Sequence, residues 1–357
     1  MELWTLTHSR PSNALNVARR AEAAGWHGML VVDSQNLSAD SYVGLTFAAA
    51  GTQTIGLGTG VTNTVTRHPA VTASAAMAVQ DVSNGRMFLG IGRGDSALAH
   101  LGRSPARFAG FERYIDVLQR YMRGEAVPFD EIPMADEIAA PVGELELADH
   151  PDASRIRWFK TEVAKVPVEV AATGPRVIGV AARLADRVMF TLGAVEERLQ
   201  WGIDTARAAR RSAGLSGEVA YGAYVNLVCL EDRATARDLA RGGLTTFARF
   251  SVMHGRVAGP ANEAEQAIFK SLHDGYDMKA HTRADSPQAA LLDDAFVDRY
   301  AIVGPPDYCI ERLEALWDLG IDKVAISGPT AGADAGEARK AMALLDEAVV
   351  PHFTRSP

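Results

Sequence analysis

Short apolar segments alternate with longer, alanine-rich segments of helical period along most of the chain. The apolar segments predict eight strands, at residues 3–7, 28–33, 55–61, 86–91, 166–171, 187–191, 219–229 and 323–327. Helical segments between them include residues 13–24, 69–83, 175–185 and 235–250. Strands that alternate with helices predict βαβ units and a parallel sheet, and near-continuous apolar strands indicate a sheet covered on both faces. Eight such units in 357 residues predict one α/β domain, residues 1–357, folded as a closed (β/α)8 TIM barrel.

Two stretches exceed what eight βα units need. Residues 124–165 are rich in proline and acidic residues without a clear period, and residues 255–300 are mixed and polar. We interpret them as insertions after strands four and seven, on the face where such barrels build active sites. Both are expected to shape a substrate pocket and to act as lids.

Charge and cysteine content exclude several classes of protein. The net charge is -8 and no basic run occurs, so nucleic-acid binding is not expected. The two cysteines, Cys229 and Cys309, are too few for a disulfide framework, which favours a reducing cytoplasm. The first residues do not resemble a signal peptide, and no apolar run reaches the roughly 18 residues of a membrane helix. No cysteine or histidine cluster has metal-ligand spacing, so we expect no metal.

Glycines follow two of the predicted strands. Residues 92–97 fit the G-x-G-x-x-A pattern of a dinucleotide-binding Rossmann domain. Such a pattern would be expected to open a domain, yet three βα units precede it. Gly56, Gly58 and Gly60 form a second glycine-spaced strand end. Glycines at successive strand ends would let the backbone approach a flat ligand at a barrel mouth, which is the interpretation we favour over a nicotinamide-dependent Rossmann enzyme.

Four motifs, in the same order, resemble the bacterial-luciferase-like superfamily. Residues 57–63 with 67–71 resemble its third strand and following loop, and residues 83–95 resemble its fourth strand. Residues 171–175 with 185–190 resemble its fifth and sixth strands, and residues 303–306 with 319–324 resemble its C-terminal pattern. The resemblance covers nearly the whole chain outside the two insertions. Within this superfamily, the chain resembles the branch that contains the coenzyme F420-dependent methylenetetrahydromethanopterin reductases.

This resemblance implies a flavin-type oxidoreductase acting on a small-molecule substrate. The deazaflavin F420 would serve hydride transfer to or from an organic compound. Other branches use FMN and oxygen for monooxygenation, with a flavin reductase as partner, and a third interpretation is a non-catalytic flavin-binding protein. The resemblance also implies a homodimer.

The resemblance places the cofactor ring on the loop after strand three. In relatives the peptide bond there is cis, and here it falls at Gly60–Val61, followed by Thr62 and Asn63. The competing interpretation is an ordinary strand-to-helix loop that Asn63 turns. If the ring rests there, a Gly60→Leu substitution should abolish cofactor binding and leave the fold intact.

The resemblance places the cofactor phosphate at a helix start, where backbone amides and the helix dipole favour anions. The implied residues are Ala172, Thr173, Gly174, Pro175, Arg176, Thr191, Leu192 and Gly193. Arg93 and Gly94, after strand four, complete the implied cofactor site. Deazaflavin relatives often carry a lysine where this chain has Ala194, which weakens the expected positive charge.

Three residues are candidates for catalysis. Asp33 ends strand two, Asp95 follows strand four, and His8 ends strand one. Either aspartate could instead cap the next helix, and a single histidine is usually structural. Several deazaflavin enzymes have a proton-transferring histidine directly after the first aspartate, where this chain has Ser34. Arg67 is a candidate for a substrate anion, although it could simply orient its loop.

Overall fold

The computed structural model describes residues 1–132, 134–159 and 163–354. Its strands are β1 (Glu2–His8), β2 (Gly28–Val32), β3 (Gly56–Thr59), β4 (Thr62–Asn63), β5 (Met87–Gly92), β6 (Val168–Ala172), β7 (Arg187–Phe190), β8 (Ala220–Cys229), β9 (Ile302–Gly304) and β10 (Lys323–Ser327). Its α-helices are α1 (Pro11–Ala24), α2 (Ser41–Gly51), α3 (Pro69–Val82), α4 (Ser96–Ala99), α5 (Phe108–Met122), α6 (Pro175–Leu184), α7 (Glu196–Ser212), α8 (Arg233–Phe250), α9 (Glu263–Gly275), α10 (Asp294–Tyr300), α11 (Pro306–Asp318), α12 (Ala335–Leu344) and α13 (Val350–Thr354). Among the helices described, none combines the length and the apolar character needed to cross a membrane.

Eight parallel strands close into a barrel. Their order is β1, β2, β3, β5, β6, β7, β8 and β10, and β10 pairs with both β8 and β1. The short strand β9 pairs with the end of β8, at Leu227–Cys229. The predicted (β/α)8 barrel is therefore confirmed, with β5 as its fourth strand and β8 as its seventh. The Rossmann alternative is wrong, because Gly92 ends a strand in the middle of a closed barrel.

Aromatic and charged side chains fill the barrel interior. Trp4 is 1% exposed and packs in one cluster with Leu30, Met189, Tyr224 and Ala325. The Nζ atom of Lys323 lies 3.3 Å from the centre of the Trp4 ring. Its charge is compensated by Glu169, whose Oε2 is 2.8 Å away. An ammonium group taken out of water needs such a partner.

The glycine spacing of β3 serves this packing. A Cβ atom on Gly56 would lie 2.6 Å from the Trp4 ring, and one on Gly28 would lie 2.3 Å from it. A Cβ atom on Gly60 would lie 2.7 Å from both Leu6 and Leu30. These glycines therefore make room for neighbouring side chains. A leucine at position 60 would clash with Leu6 and Leu30, so we now expect a Gly60→Leu variant to disturb the fold, unlike the expectation from the sequence.

The stretch 124–165 lies at the end of the barrel opposite to the one predicted. It begins after α5 has returned the chain to the amino ends of the strands. Tyr121 at the end of α5 hydrogen-bonds Ser154 at 2.8 Å, and Lys165 binds Asp186, directly before β7. The expected pocket-shaping and lid role of this stretch is wrong, because these contacts place it at the amino ends of the strands, away from the mouth. Pro133 and residues 160–162 of the stretch lie outside the described residues.

The stretch 255–300 lies at the carboxyl ends of the strands, as expected. It contains α9 and α10, and the backbone N–H of Ala194, beyond β7, donates to the carbonyl of Tyr300 at 2.9 Å. The buried guanidinium of Arg198 ties the region together, donating to the carbonyls of Leu192 at 3.0 Å and Ala258 at 2.8 Å. This stretch therefore borders the barrel mouth.

Candidate active site

A buried carboxylate joins two strand ends at the mouth. Asp33 follows β2, is 3% exposed and accepts a hydrogen bond from the hydroxyl of Thr62 at 2.6 Å. Arg67 donates to the same carboxylate oxygen at 2.5 Å. The N-cap interpretation of Asp33 is wrong, since Asp40 caps α2 by accepting from Tyr42 and Val43. Asp33 instead ties the end of β2 to the loop after β3.

Arg67 is held by groups within the chain. Its guanidinium also pairs with Asp40 at 2.7 Å and lies 5.1 Å from the ring centre of Tyr42. Burial alone would lower the pKa of Arg67, but its bonds to Asp33 and Asp40 outweigh burial and raise it. With two carboxylate partners already bound, Arg67 orients the loop, and the geometry gives little support to the predicted substrate contact.

The loop after β3 has one polar atom without a partner. The Gly60–Val61 peptide bond is cis, as the resemblance implied. Asn63 turns the loop, since its Oδ1 accepts from the backbone N–H groups of Val65 and Thr66 at 3.0 Å. Its Nδ2 is buried without a hydrogen-bond partner among the described residues. A buried amide donor without a partner is costly, so Nδ2 is available to a ligand.

A second polar atom of this kind comes from β8. The Tyr224 ring belongs to the interior cluster and stacks on Phe247 with ring centres 6.1 Å apart. Within the described part of the chain its buried hydroxyl finds no partner, and burial raises its pKa. Tyr224 therefore offers a protonated hydroxyl that still lacks a hydrogen bond.

The predicted phosphate-binding turns lie side by side. The hydroxyls of Thr173 and Thr191 hydrogen-bond each other, and the N–H of Thr191 donates to the carbonyl of Ala172 at 3.0 Å. Gly174 is the N-cap of α6 and makes no side-chain cap, and no described atom lies within 4 Å of the position that a Cβ atom would take there. The N–H groups that start α6 are therefore approachable by an anion.

The turn after β7, which contains Thr191, is held in place by contacts with other parts of the chain. Gly193 has a φ of +79° and would place a Cβ atom 2.7 Å from the Tyr300 ring. The carbonyl of Leu192 accepts from Arg198, as described above. Leu192 and Gly193 thus fix the turn that carries Thr191, through backbone rather than side-chain groups.

Two arginines lie near the start of α6. The Arg176 guanidinium stacks 4.1 Å from the ring centre of Phe108, and Arg93 Nε donates to the carbonyl of Ala106 at 2.7 Å. Burial, and then repulsion from Arg176, lower the pKa of Arg93. In the described ranges neither arginine has a carboxylate within salt-bridge distance. Two neighbouring cations without counter-ions favour an anionic ligand.

Asp95 pairs with a residue that sequence reasoning missed. Asp95 precedes α4 without capping it through its side chain, so the N-cap interpretation is wrong here as well. Instead its carboxylate binds Arg249, near the end of α8. The guanidinium lies 4.6 Å from the ring centre of Tyr276, whose hydroxyl is 2.8 Å from Nδ1 of His281. The polar composition of the 255–300 stretch indicated a pocket wall, but it did not single out Tyr276 or His281. Arg249 lies before that stretch, in α8.

His8 stands apart from both aspartates. It is exposed at the end of β1, and the hydrogen bonds described for the chain include none from its ring. Partial desolvation, and then the charge of Arg10, lower its pKa. The structure therefore does not join the three catalytic candidates into one hydrogen-bonded group.

Two surface clefts lie away from this site. A cleft of about 920 Å³ lies between the end of α8 and α9, and one of about 440 Å³ lies beside α10. Neither is lined by a predicted site residue. Over the described residues, no group of three or more acidic, histidine or cysteine side chains could hold a metal ion.

Comparison with known families decides the assignment. Residues 2–323 match the family model described as luciferase-like monooxygenase. The chain belongs to this family. It is 28% identical to the 5,10-methylenetetrahydromethanopterin reductase of Methanolobus tindarius, over 87% of this chain and 89% of the relative.

Two solved structures share the fold over nearly their full length. The coenzyme F420-dependent tetrahydromethanopterin reductase of Methanopyrus kandleri superposes with a TM-score of 0.72 at 21% identity, covering 99% of each chain. An F420-dependent secondary alcohol dehydrogenase, solved with an F420–acetone adduct, gives 0.67 at 16% identity, again covering 99% of each chain. At these identities the structural likeness shows the fold.

Proposed function

We propose that this luciferase-like protein is an oxidoreductase that uses the deazaflavin F420 to transfer hydride to or from a small organic substrate. The observation that carries the proposal is the pair Arg93 and Arg176, which lies beside the open start of α6 without a counter-ion among the described residues. F420 bears a phosphodiester, and a relative described as a putative coenzyme F420-dependent oxidoreductase, 25% identical over 90% of this chain, supports the same cofactor here.

The residues at the mouth fit such a cofactor. The orphaned Nδ2 of Asn63 and hydroxyl of Tyr224 are buried donors that suit the polar edge of a heterocyclic ring. Thr62 and the Gly60–Val61 bond lie beside Asn63 along the same strand end. The N–H groups after Gly174, with Thr173 and Thr191, would hold the phosphate. Arg93 and Arg176 supply the positive charge that Ala194 does not.

The chain's own residues bind, orient and exclude water. When bound, the deazaflavin supplies two-electron hydride chemistry, which no side chain can perform. Asp33 and Arg67 fix the loop that carries Asn63, so that its amide is positioned before the cofactor arrives. The stretch 255–300 covers part of the mouth and limits access of water to the reacting atoms.

An FMN-dependent monooxygenase is the competing proposal, favoured by Ala194 in place of the lysine. In that case a flavin reductase would be a partner. A protein that binds a flavin without turnover is the third possibility.

Two buried free cysteines support function in the reducing cytoplasm.

We propose further that the protein is a homodimer through α2 and α3, which pack side by side. Phe47 and Val43 lie one turn apart on α2 and are 53% and 47% exposed, and Val71 on α3 is 54% exposed. An apolar face of this kind on a single surface supports association with a second copy.

The experiment is an anaerobic assay with reduced F420 and a panel of small aldehydes, ketones and iminium compounds. Oxidation of the deazaflavin that depends on one of these compounds is the expected result. A parallel aerobic assay uses reduced FMN. Substrate-dependent oxygen consumption there, together with no substrate-dependent oxidation of F420 in the anaerobic assay, would contradict the proposal and favour the monooxygenase.

A further inference from the structure

A hydrogen-bonded pair from the 255–300 stretch lies at the mouth, where this chain lacks the histidine that several deazaflavin relatives carry. The Tyr276 hydroxyl lies 2.8 Å from Nδ1 of His281 and 3.4 Å from the hydroxyl of Thr246 on α8. Thr246 directly precedes Phe247, which stacks on Tyr224 of the barrel interior. Tyr276 therefore packs against α8, next to the residue of that helix that stacks on Tyr224.

The same pair is connected to the loop after β5. Arg249 lies against the Tyr276 ring and binds Asp95, and its Nε is buried without a partner in the described residues. Ser96, next to Asp95, has its hydroxyl 3.4 Å from that of Ser34, the residue that replaces the histidine. The pair thus faces the same side of the mouth as Ser34.

We propose that Tyr276 and His281 form a proton relay that exchanges a proton with the oxygen of an alcohol or carbonyl substrate. The inference rests on the proposed F420-dependent function. It adds the substrate class and assigns the proton transfer to residues on the stretch after β8.

In the oxidising direction the relay conserves both protons and electrons. The O–H bond of the substrate breaks and its proton passes to the Tyr276 oxygen, while the Tyr276 proton moves to Nδ1 of His281. When bound, the oxidised deazaflavin would accept the hydride with its electron pair. The imidazolium that forms faces Asp95, and the reducing direction returns the proton along the same path.

The surroundings of His281 suit a proton acceptor. Burial lowers its pKa to about 4, the charge of Asp95 opposes this shift, and Arg249 and His100 add to it. His281 is therefore neutral near pH 7 and has a ring nitrogen free to accept the Tyr276 proton.

The test compares Tyr276→Phe and His281→Gln with two matched controls. Tyr121→Phe removes a buried tyrosine hydroxyl at the opposite end of the barrel, and His273→Gln removes a histidine of α9 on the outer cleft. Each variant is assayed with F420 and a panel of short-chain alcohols, and its F420 affinity is measured by fluorescence. Ring signals of His281 are followed by NMR from pH 3.5 to 8 without cofactor.

The relay predicts that both mouth variants lose about 100-fold or more in rate, with F420 affinity within twofold of the wild type and both controls unaffected. It also predicts that Tyr276→Phe shifts the His281 ring signals. Unchanged rates in both mouth variants, or a His281 ring that titrates near 6.5 and ignores Tyr276→Phe, would overturn the relay alone. A wild type that does not bind F420 would overturn the proposed function and the relay together.

Discussion

Arg67 binds the buried carboxylate of Asp33 and the exposed carboxylate of Asp40 with one guanidinium group. The two side chains of the inner pair are 16% and 1% exposed. Because Asp33 follows β2 and Arg67 follows β4, the pair fixes the loop that carries Asn63. The contacts of Asp33 thus support a positioning role more than the catalytic role that was expected from its place in the sequence.

We predict that Asp33→Asn lowers the free energy of unfolding by about 2–4 kcal/mol, because it leaves a partly buried guanidinium without its inner counter-ion. Asp40→Asn is the matched control, since it removes the outer charge and can still cap α2. It should cost less than about 1 kcal/mol. Urea unfolding of both variants measures the difference, and equal losses would contradict this division of roles.

The ion pair inside the barrel should also be essential for stability. Glu169→Gln leaves the fully buried ammonium of Lys323 without its counter-ion and is expected to cost about 3–5 kcal/mol. Glu337→Gln breaks the exposed pair with Lys340 and is expected to cost less than about 0.5 kcal/mol. Chemical denaturation of the two variants decides the matter. A Glu169→Gln variant as stable as the control would show that Lys323 is not charged in the folded state.

The barrel could be predicted from the sequence because alternation of strands and helices is a local pattern. The structural role of the glycines could not be predicted in this way. Gly28 and Gly56 make room for the ring of Trp4, which is distant in sequence. The side of the barrel occupied by residues 124–165 could not be predicted either. Helix α5 returns the chain to the amino ends of the strands before this stretch begins, and the sequence pattern did not reveal that helix.

The parts of the candidate site that are formed by backbone could be predicted from the sequence. The contacts between its side chains could not. The cis bond at Gly60–Val61 and the turn before α6 follow from motifs. The partner of Asp95 could not be predicted, because Arg249 lies more than 150 residues away, in a helix without a motif. It is the packing of α8 over the mouth that brings them together.

The apolar face of α2 and α3 predicts a dimer that one charge can disrupt. Phe47→Glu should shift the protein from dimer to monomer, because a carboxylate would be buried in an apolar interface. Ile138→Glu, at a residue that is 76% exposed at the other end of the barrel, should leave the dimer intact. Light scattering after size-exclusion chromatography measures both, and a wild-type monomer would rule out the interface.

His281 predicts a loss of stability in mild acid. Burial lowers its pKa from 6.5 to about 4, so between these values the unfolded chain binds a proton that the folded protein does not. The free energy of unfolding should therefore fall as the pH drops from about 6.5 towards 4, with a contribution from His281 on the order of 2 kcal/mol. The pKa values of His27 and His68 are also lowered by burial, so part of the loss will persist without His281. Urea unfolding at pH 7 and pH 4.5 should show a smaller loss for His281→Gln than for the wild type; an equal loss would contradict the shift.

The most direct test of the central claim is a fluorescence titration of the purified protein with F420 and, separately, with FMN. The wild type and an Arg93→Ala, Arg176→Ala double variant are compared. Arg155→Ala, Arg157→Ala, on the stretch at the opposite end of the barrel, is the control of equal charge. We predict that the wild type and the control bind F420 tightly and FMN weakly, and that the double variant loses at least tenfold in F420 affinity. Tight binding of FMN alone, or F420 affinity that does not depend on Arg93 and Arg176, would contradict the account.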